Sequence, residues 1–399
     1  MQPPIPLAEA QARLLALAAP RPAENLALER ALGRYLAAPL AARRTQPAAD
    51  LSAMDGYAMR GDDLSGPWTV VGESAAGHPF GGSLAPGQTI RISTGALLPA
   101  DAGVVLLQEN ATRDGDALSL NGEGDPSPQH VRRAGFDFAD GDPLLPTGTR
   151  LGPAQIALAL SGGHGTAHVH ALPSIAVLDS GDELAADPAN CAPYQIPASN
   201  GAMLAAMAAP YAASLIRLGP VPDTLDAMAN ALDRASDADV IVTSGGASVG
   251  DHDLVRPALE AWGAEIDFWR VAIKPGKPLL IACKGRQIVV GLPGNPVSSF
   301  VTAQLFLLPL LRKLAGAANP LPRIVSAQLD GSVPPGGNRL EFLRARWHDG
   351  RLRPITQQDS SALRALSAAD ALVERPIDAP ATGDGDAIRA YLLDNGGIA

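Results

Sequence analysis

The chain has 399 residues, 31 Lys and Arg against 41 Asp and Glu, and a formal net charge of −10. That length exceeds one simple core and predicts two to four domains, while the acidic balance argues against nonspecific binding to DNA or RNA, which needs a basic footprint. Only Cys191 and Cys283 are present, without paired spacing, which excludes a disulfide framework or thiolate zinc site and points to a reducing, cytoplasmic setting.

The first twenty residues lack a basic leader and carry Glu9 and Arg13 inside an apolar pattern, so they read as a helix and not as a signal peptide. Leucines at helical spacing (Leu7, Leu14, Leu17, then Leu26, Leu32, Leu36) predict helices over 6–19 and 23–37. A third helix begins at Gly152-Pro153 and ends at Ser161-Gly162-Gly163. These three are expected to pack together as a discontinuous N-terminal domain of residues 1–45 and 141–173. Between them, residues 46–140 change character. Short β-type runs at 68–71, 89–92 and 104–107 are separated by Gly, Pro and Asp, which predicts an inserted β-rich domain. Two of its segments, Asp50 to Ala58 and Arg91 to Ala96, each set a small polar group beside a glycine, although Asp55-Gly56 alone is an ordinary hairpin signal. His164, His168 and His170 cluster without a Cys or carboxylate at ligand spacing, so zinc is not expected.

From Ser174 to about residue 318 strands alternate with helices. Strands are predicted at 175–178, 214–218, 239–243, 265–271, 279–283 and 287–291, and helices at 200–209, 223–235, 253–261 and 297–314. The alternation implies a doubly wound, mostly parallel α/β sheet. Ser199-Asn200 suits a helix N-cap. The run from Val297 to Leu314 is the most apolar, yet Ser298, Ser299, Gln304, Pro309, Arg312 and Lys313 interrupt it, so it reads as a buried helix and not a membrane span. After Asn319-Pro320-Leu321-Pro322, short strands at 323–329, 339–347, 352–355 and 387–393 predict a C-terminal β-domain of residues 319–399.

Four turns carry candidate chemistry. Ser244-Gly245-Gly246-Ala247-Ser248-Val249-Gly250 follows a buried strand, where glycines allow the close backbone approach of an anion cradle. Asp251 and Asp253 beside it are suited either to a hard divalent cation or to capping the next helix. Lys274-Pro275-Gly276-Lys277-Pro278 holds two ammonium groups on a stiffened turn, an arrangement useful if an anion offsets their repulsion. Leu292-Pro293-Gly294-Asn295-Pro296 leads into a helix and serves either to meet a phosphate or only to start that helix. Ser180-Gly181-Asp182-Glu183 follows the first strand of the sheet, as a magnesium or base position or as a plain surface loop.

Together these segments resemble the MoeA family of molybdopterin molybdenumtransferases, which includes the gephyrin E domain. The matching motifs are Asp50–Ala58, Arg91–Ala96, Gly181–Leu184, Thr243–Gly250, Lys274–Pro278 and Leu292–Pro296, in an order and spacing that cover essentially the whole chain. The resemblance implies a four-domain homodimer that takes adenylylated molybdopterin and molybdate, releases AMP with Mg²⁺, and leaves molybdenum on the dithiolene. It implies catalytic positions at Asp55, Thr94, Asp137, Glu183, Lys274 and Lys277, with Glu183 and Asp253 as metal ligands. Substrate contacts are expected at Ser244, Gly245, Gly246, Ser248, Gly250, Asp253, Gly294, Asn295, Ser298 and Arg344. The family's site lies between subunits, the inserted domain of one facing the α/β domain of the other. The segment from Gln358 to Leu363 departs from the family's glycine-serine pattern, so Ser360 is assigned no role. A related adenylyltransferase and a non-catalytic molybdopterin-binding scaffold are the competing readings. No membrane or nucleic-acid partner is expected.

Overall fold

The computed structural model describes residues 4–245 and 254–395. At its centre is a six-stranded sheet in the order Ser214–Val221, Ser174–Ser180, Val240–Ser244, Gln287–Leu292, Pro278–Lys284, Glu265–Arg270. Alternation sorts its side chains onto two covered faces. Ile175, Val177, Val240, Val242, Ile288 and Val290 join one core, whereas Ala176, Leu178, Ile241 and Val289 join another. Burial on both faces is why these strands read as continuous apolar runs. The first four strands are parallel, but the last two pair antiparallel. The sheet is therefore mixed: Lys284 and Gln287 are joined by only Gly285-Arg286, far too short for a parallel crossover.

Helices Ser199–Ala208 and Pro296–Leu314 cover one face, and Leu225–Arg234 and Val255–Ala261 the other. The long apolar helix, which includes a π-helical turn at Ala303–Leu307, has 89% of its most apolar window buried in the fold.

The N-terminal expectations need two corrections. Residues 23–37 do not form a helix: Ala23–Ala27 is a strand antiparallel to Thr166–His170, followed by a single 3₁₀ turn at Leu28–Arg30. Cross-strand hydrogen bonding overrides the leucine spacing here, and Leu32, assigned to the apolar stripe, is 64% exposed. Nor does the first helix, Leu7–Ala16, join that cluster. Ala10 and Leu14 are fully buried against the α/β core, and Gln11 Nε2 donates to the Leu305 carbonyl over 2.9 Å. The helix Pro153–Ser161 does pack with Leu28 and Leu36, as expected.

The inserted region forms a second six-stranded sheet that contains the strands Gly56–Arg60, Gln88–Ile92 and Ala102–Leu107. A third sheet gathers Ile324–Gln328, Leu340–His348, Ala371–Arg375 and Ala387–Leu392 with the short strands Ile273–Lys274 and Arg351–Pro354. The strand at 371–375 and the helix Leu363–Ser367 were not anticipated. Both are only five residues long, and the strand carries a single β-branched residue, Val373, so neither shows a sustained pattern.

Candidate functional site

The carboxyl ends of parallel strands are where open α/β sheets receive ligands, and a small cleft of about 70 Å³ lies there. Its walls include Glu183, Asn200, Ser244, Gly245 and Gly294. Three of the four motif turns therefore converge, although the outermost, at Glu183 and Gly294, are more than a hundred residues apart. Gly245 adopts φ +96°, a left-handed value that permits the chain to turn directly off the strand. Gly246, Ser248, Gly250 and Asp253 lie outside the described residues, as do Ala247 and Asp251.

Asn200 is the residue that sequence reasoning misassigned. The helix N-cap is Ala198, and no side chain caps this end. Asn200 Nδ2 instead donates to Ser244 Oγ at 2.9 Å and to the Gly294 carbonyl at 2.6 Å, tying the glycine turn to the Pro-Gly-Asn-Pro turn. Beneath it, Asp179 is 4% exposed, and burial pushes its carboxyl above the usual range despite Arg217 nearby and the Gly201 N–H. A Cβ at Gly201 would come within 1.9 Å of Asp179 Oδ2, so only glycine fits at that step. Glu183 is exposed at the mouth of the cleft.

The lysine turn lies against the start of the Pro296–Leu314 helix. Gly276 sits at φ +100°, and a Cβ there would meet Thr302 Cγ2 at 2.5 Å. Its two lysines differ. Lys274 Nζ pairs with Glu341 Oε1 at 3.0 Å, so a carboxylate of the chain itself offsets the charge that had been assigned to a bound anion. Lys277 is exposed and has no ion pair among the described residues. Asn295 is the helix N-cap, but through its backbone, with no side-chain capping bond. Ser298 is buried in the first turn, where its carbonyl accepts from Thr302 Oγ1 at 2.7 Å.

Arg344 is not a surface ligand-binder in this arrangement. It is 1% exposed, and its two terminal nitrogens donate to the carbonyls of Asp359 and Gln357, each at 2.9 Å. It fixes the loop whose Ser360 carbonyl accepts the Val297 N–H at the start of the long helix. Ser360 thus has a structural role, made by its backbone.

In the inserted domain, Asp55 and Thr94 are brought together. Asp55 Oδ1 accepts from Thr94 N at 2.6 Å and from Thr94 Oγ1 at 3.0 Å. The Thr94 N–H, then its hydroxyl, hold the Asp55 carboxyl below the usual range. Asp137 is exposed on a separate loop. No hydrogen bond or ion pair among the described residues joins these three to Glu183, Lys274 or Lys277 of the same chain. The described residues also hold no cluster of three metal-binding side chains.

Comparison with known proteins accounts for this layout. A family model described as "MoeA N-terminal region (domain I and II)" matches residues 5–163, a "Probable molybdopterin binding domain" matches 176–313, and "MoeA C-terminal region (domain IV)" matches 326–393. The chain belongs to the MoeA family. It is 34% identical over 333 residues to the molybdopterin molybdenumtransferase of Haemophilus influenzae, covering 82% of each chain. It is 30% identical over 411 residues to that of Bacillus subtilis, covering 98% of this chain and 94% of the relative. The molybdopterin biosynthesis moeA protein of Pyrococcus horikoshii superposes with a TM-score of 0.82 at 26% identity, over 98% of this chain and 100% of that one.

Proposed function

We propose that this MoeA-family chain is a molybdopterin molybdenumtransferase of molybdenum cofactor biosynthesis, inserting molybdenum from molybdate into adenylylated molybdopterin with release of AMP. The observation that carries the reading is the convergence of Glu183, Ser244, Gly245 and Gly294 in one cleft at the sheet's carboxyl edge, in a chain matched by all three MoeA regions.

The cleft is suited to a phosphate-bearing ligand. Gly245 and Gly294 let the ligand approach the backbone closely, and Asn200 holds the two turns at a fixed separation. The carboxylate of Glu183 and the hydroxyls of Ser180 and Ser244 are hard oxygen donors, which fits Mg²⁺ held by one or two carboxylates plus substrate phosphates. Glu183 would hold the ion, with Asp253 as its second ligand; bound there, Mg²⁺ supplies charge neutralisation on phosphate oxygens. Asp179 is less suited, since it is buried beneath the cleft and desolvation works against its charged form. Lys277, exposed and without an ion pair among the described residues, would neutralise charge on the departing AMP or on molybdate. Lys274 is held by Glu341 and orients the turn.

Asp55 and Thr94 enter the site of a second copy of the chain. The exposed Asp55 carboxylate and Thr94 hydroxyl make no hydrogen bond or ion pair to the α/β domain among the described residues, as expected of a homodimer with a shared site. Asp137 is assigned to the same contributed face.

Purified protein incubated with adenylylated molybdopterin, Mg²⁺ and molybdate should release AMP only when molybdate is present. ATP consumption would instead identify an adenylyltransferase, and binding without turnover a scaffold. Near-normal AMP release by Lys277→Ala would remove the lysine from the mechanism.

A further inference from the structure

The C-terminal domain contains a second, larger cleft, of about 600 Å³. Arg346 and Arg353 line it from adjacent antiparallel strands, Thr356 and Gln357 from the loop that follows, and Arg364 and Ala365 from the helix Leu363–Ser367. No carboxylate lines it among the described residues.

The strand register sets Arg346 directly opposite Arg353. Like charges at facing positions repel and weaken a sheet, and Arg364 adds a third guanidinium to the same space. Arg353 has a partner, since its Nε donates to Asp330 Oδ2 at 2.7 Å. Asp330 is shared, however, with His348 at 2.7 Å and with Arg351 at 3.8 Å, although Arg351 pairs more closely with Asp384 at 3.0 Å. The guanidinium groups of Arg346 and Arg364 have no hydrogen bond or ion pair among the described residues. In a chain of net charge −10, two guanidinium groups without a partner among the described residues, beside a third that is paired, are a local exception.

We propose that this cleft binds the phosphate monoester of a small organic molecule, with Arg346 and Arg364 holding the dianion beside Arg353. Guanidinium groups match phosphate oxygens in paired, charge-assisted hydrogen bonds. The volume falls in the range of small-molecule pockets, about 300–1,000 Å³, and exceeds what a bare tetrahedral ion fills. Pro354, Ile355 and Ala365 offer the organic body an apolar surface. The site is separate from the cleft at Glu183 but joined to it by one loop. Gln357 stands in its wall, Arg344 holds the loop from behind, and the Ser360 carbonyl meets the long helix at Val297. This inference does not depend on the transferase reading.

The test is calorimetric titration of the full-length protein in low-salt buffer with phenyl phosphate, glycerol 3-phosphate and inorganic phosphate. Three proteins are compared: the unmodified chain, Arg346→Gln/Arg364→Gln, and Lys277→Ala, which removes an exposed cation of the lysine turn that does not line the C-terminal cleft. The expected result is one saturable site for the esters in the unmodified chain and in Lys277→Ala, with affinity lowered at least tenfold in the double variant. The esters should also raise the thermal midpoint of the unmodified chain and leave that of the double variant unmoved, a comparison that shows the variant is folded. Phenyl phosphate should bind at least fivefold tighter than inorganic phosphate. Equal affinities would identify a site for the free ion and overturn the assignment of an organic ester. Absence of saturable binding, binding lost in Lys277→Ala, or unchanged affinity in the double variant would each overturn the site.

Discussion

Replacing Asn200 by alanine removes a side chain that ties the glycine turn to the Pro-Gly-Asn-Pro turn. Two hydrogen bonds are lost, to Ser244 Oγ at 2.9 Å and to the Gly294 carbonyl at 2.6 Å. A neutral hydrogen bond contributes about 0.5–1.5 kcal/mol net, and a buried group left unpaired costs toward the upper end. Ser244 is 4% exposed, so its hydroxyl loses a partner that water does not readily replace, whereas the bond to Gly294 is exposed. The expected loss is about 2 kcal/mol of stability, read as a lower urea midpoint. A double-mutant cycle with Ser244→Ala isolates the first bond and should return a coupling of about 1 kcal/mol. AMP release should fall by more than stability alone predicts, because a misplacement of about 1 Å near reacting groups costs up to about a hundredfold. Additivity of the two single variants within about 0.3–0.5 kcal/mol, together with unimpaired AMP release, would refute the idea that this amide holds the cleft in shape.

The remaining predictions address the neighbouring supports. Gly276→Ala combines φ +100° with a Cβ 2.5 Å from Thr302 Cγ2; it should cost about 1–3 kcal/mol in thermal unfolding, and Thr302→Ser, which deletes that methyl group, should recover part of the loss. Arg344→Met should leave the carbonyls of Gln357 and Asp359 unpaired and speed amide exchange both across 355–361 and at Val297, which bonds Ser360. Lys274→Ala should change stability by no more than about 1 kcal/mol, as for an exposed ion pair, while Lys277→Ala should impair AMP release more than Lys274→Ala does. Thr94→Ala should let the Asp55 carboxyl rise toward its ordinary value in an NMR titration. The sign follows from the depressed pKa in the folded chain: the Asp55–Thr94 interaction stabilises above the unfolded carboxylate's pKa and is lost as pH falls through the lower folded value, so the variant should narrow that acid-side dependence.

The central sheet was legible in the sequence because its strands are buried on both faces and stand out as apolar runs between helices. The same signal misled at 23–37, where leucine spacing imitated a helix while the backbone found its partners in Thr166–His170, more than a hundred residues away. The site was legible as motifs but not as bonds. Glu341, which neutralises Lys274, is 67 positions distant and faces it only because Ile273–Lys274 pairs with Leu340–His348 in the third sheet. Asn200 already had a sufficient local explanation as a helix cap, and that explanation concealed its reach of 94 positions to Gly294. Arg344 was recognised as part of a motif, yet burial and two carbonyl acceptors were needed to distinguish a loop support from a ligand contact.

The start of the Pro296–Leu314 helix is the joint at which these distant parts meet. The Gly294 carbonyl takes the Asn200 amide, Val297 donates to Ser360, and Gly276 of the lysine turn packs against Thr302 one turn later. Each contact comes from a different turn, and the long helix itself is anchored by Leu305, Phe306, Leu310 and Leu311, all fully buried. A buried helix bearing three loops on its first turns keeps the start of the glycine turn, the lysine turn and a C-terminal loop in fixed relation.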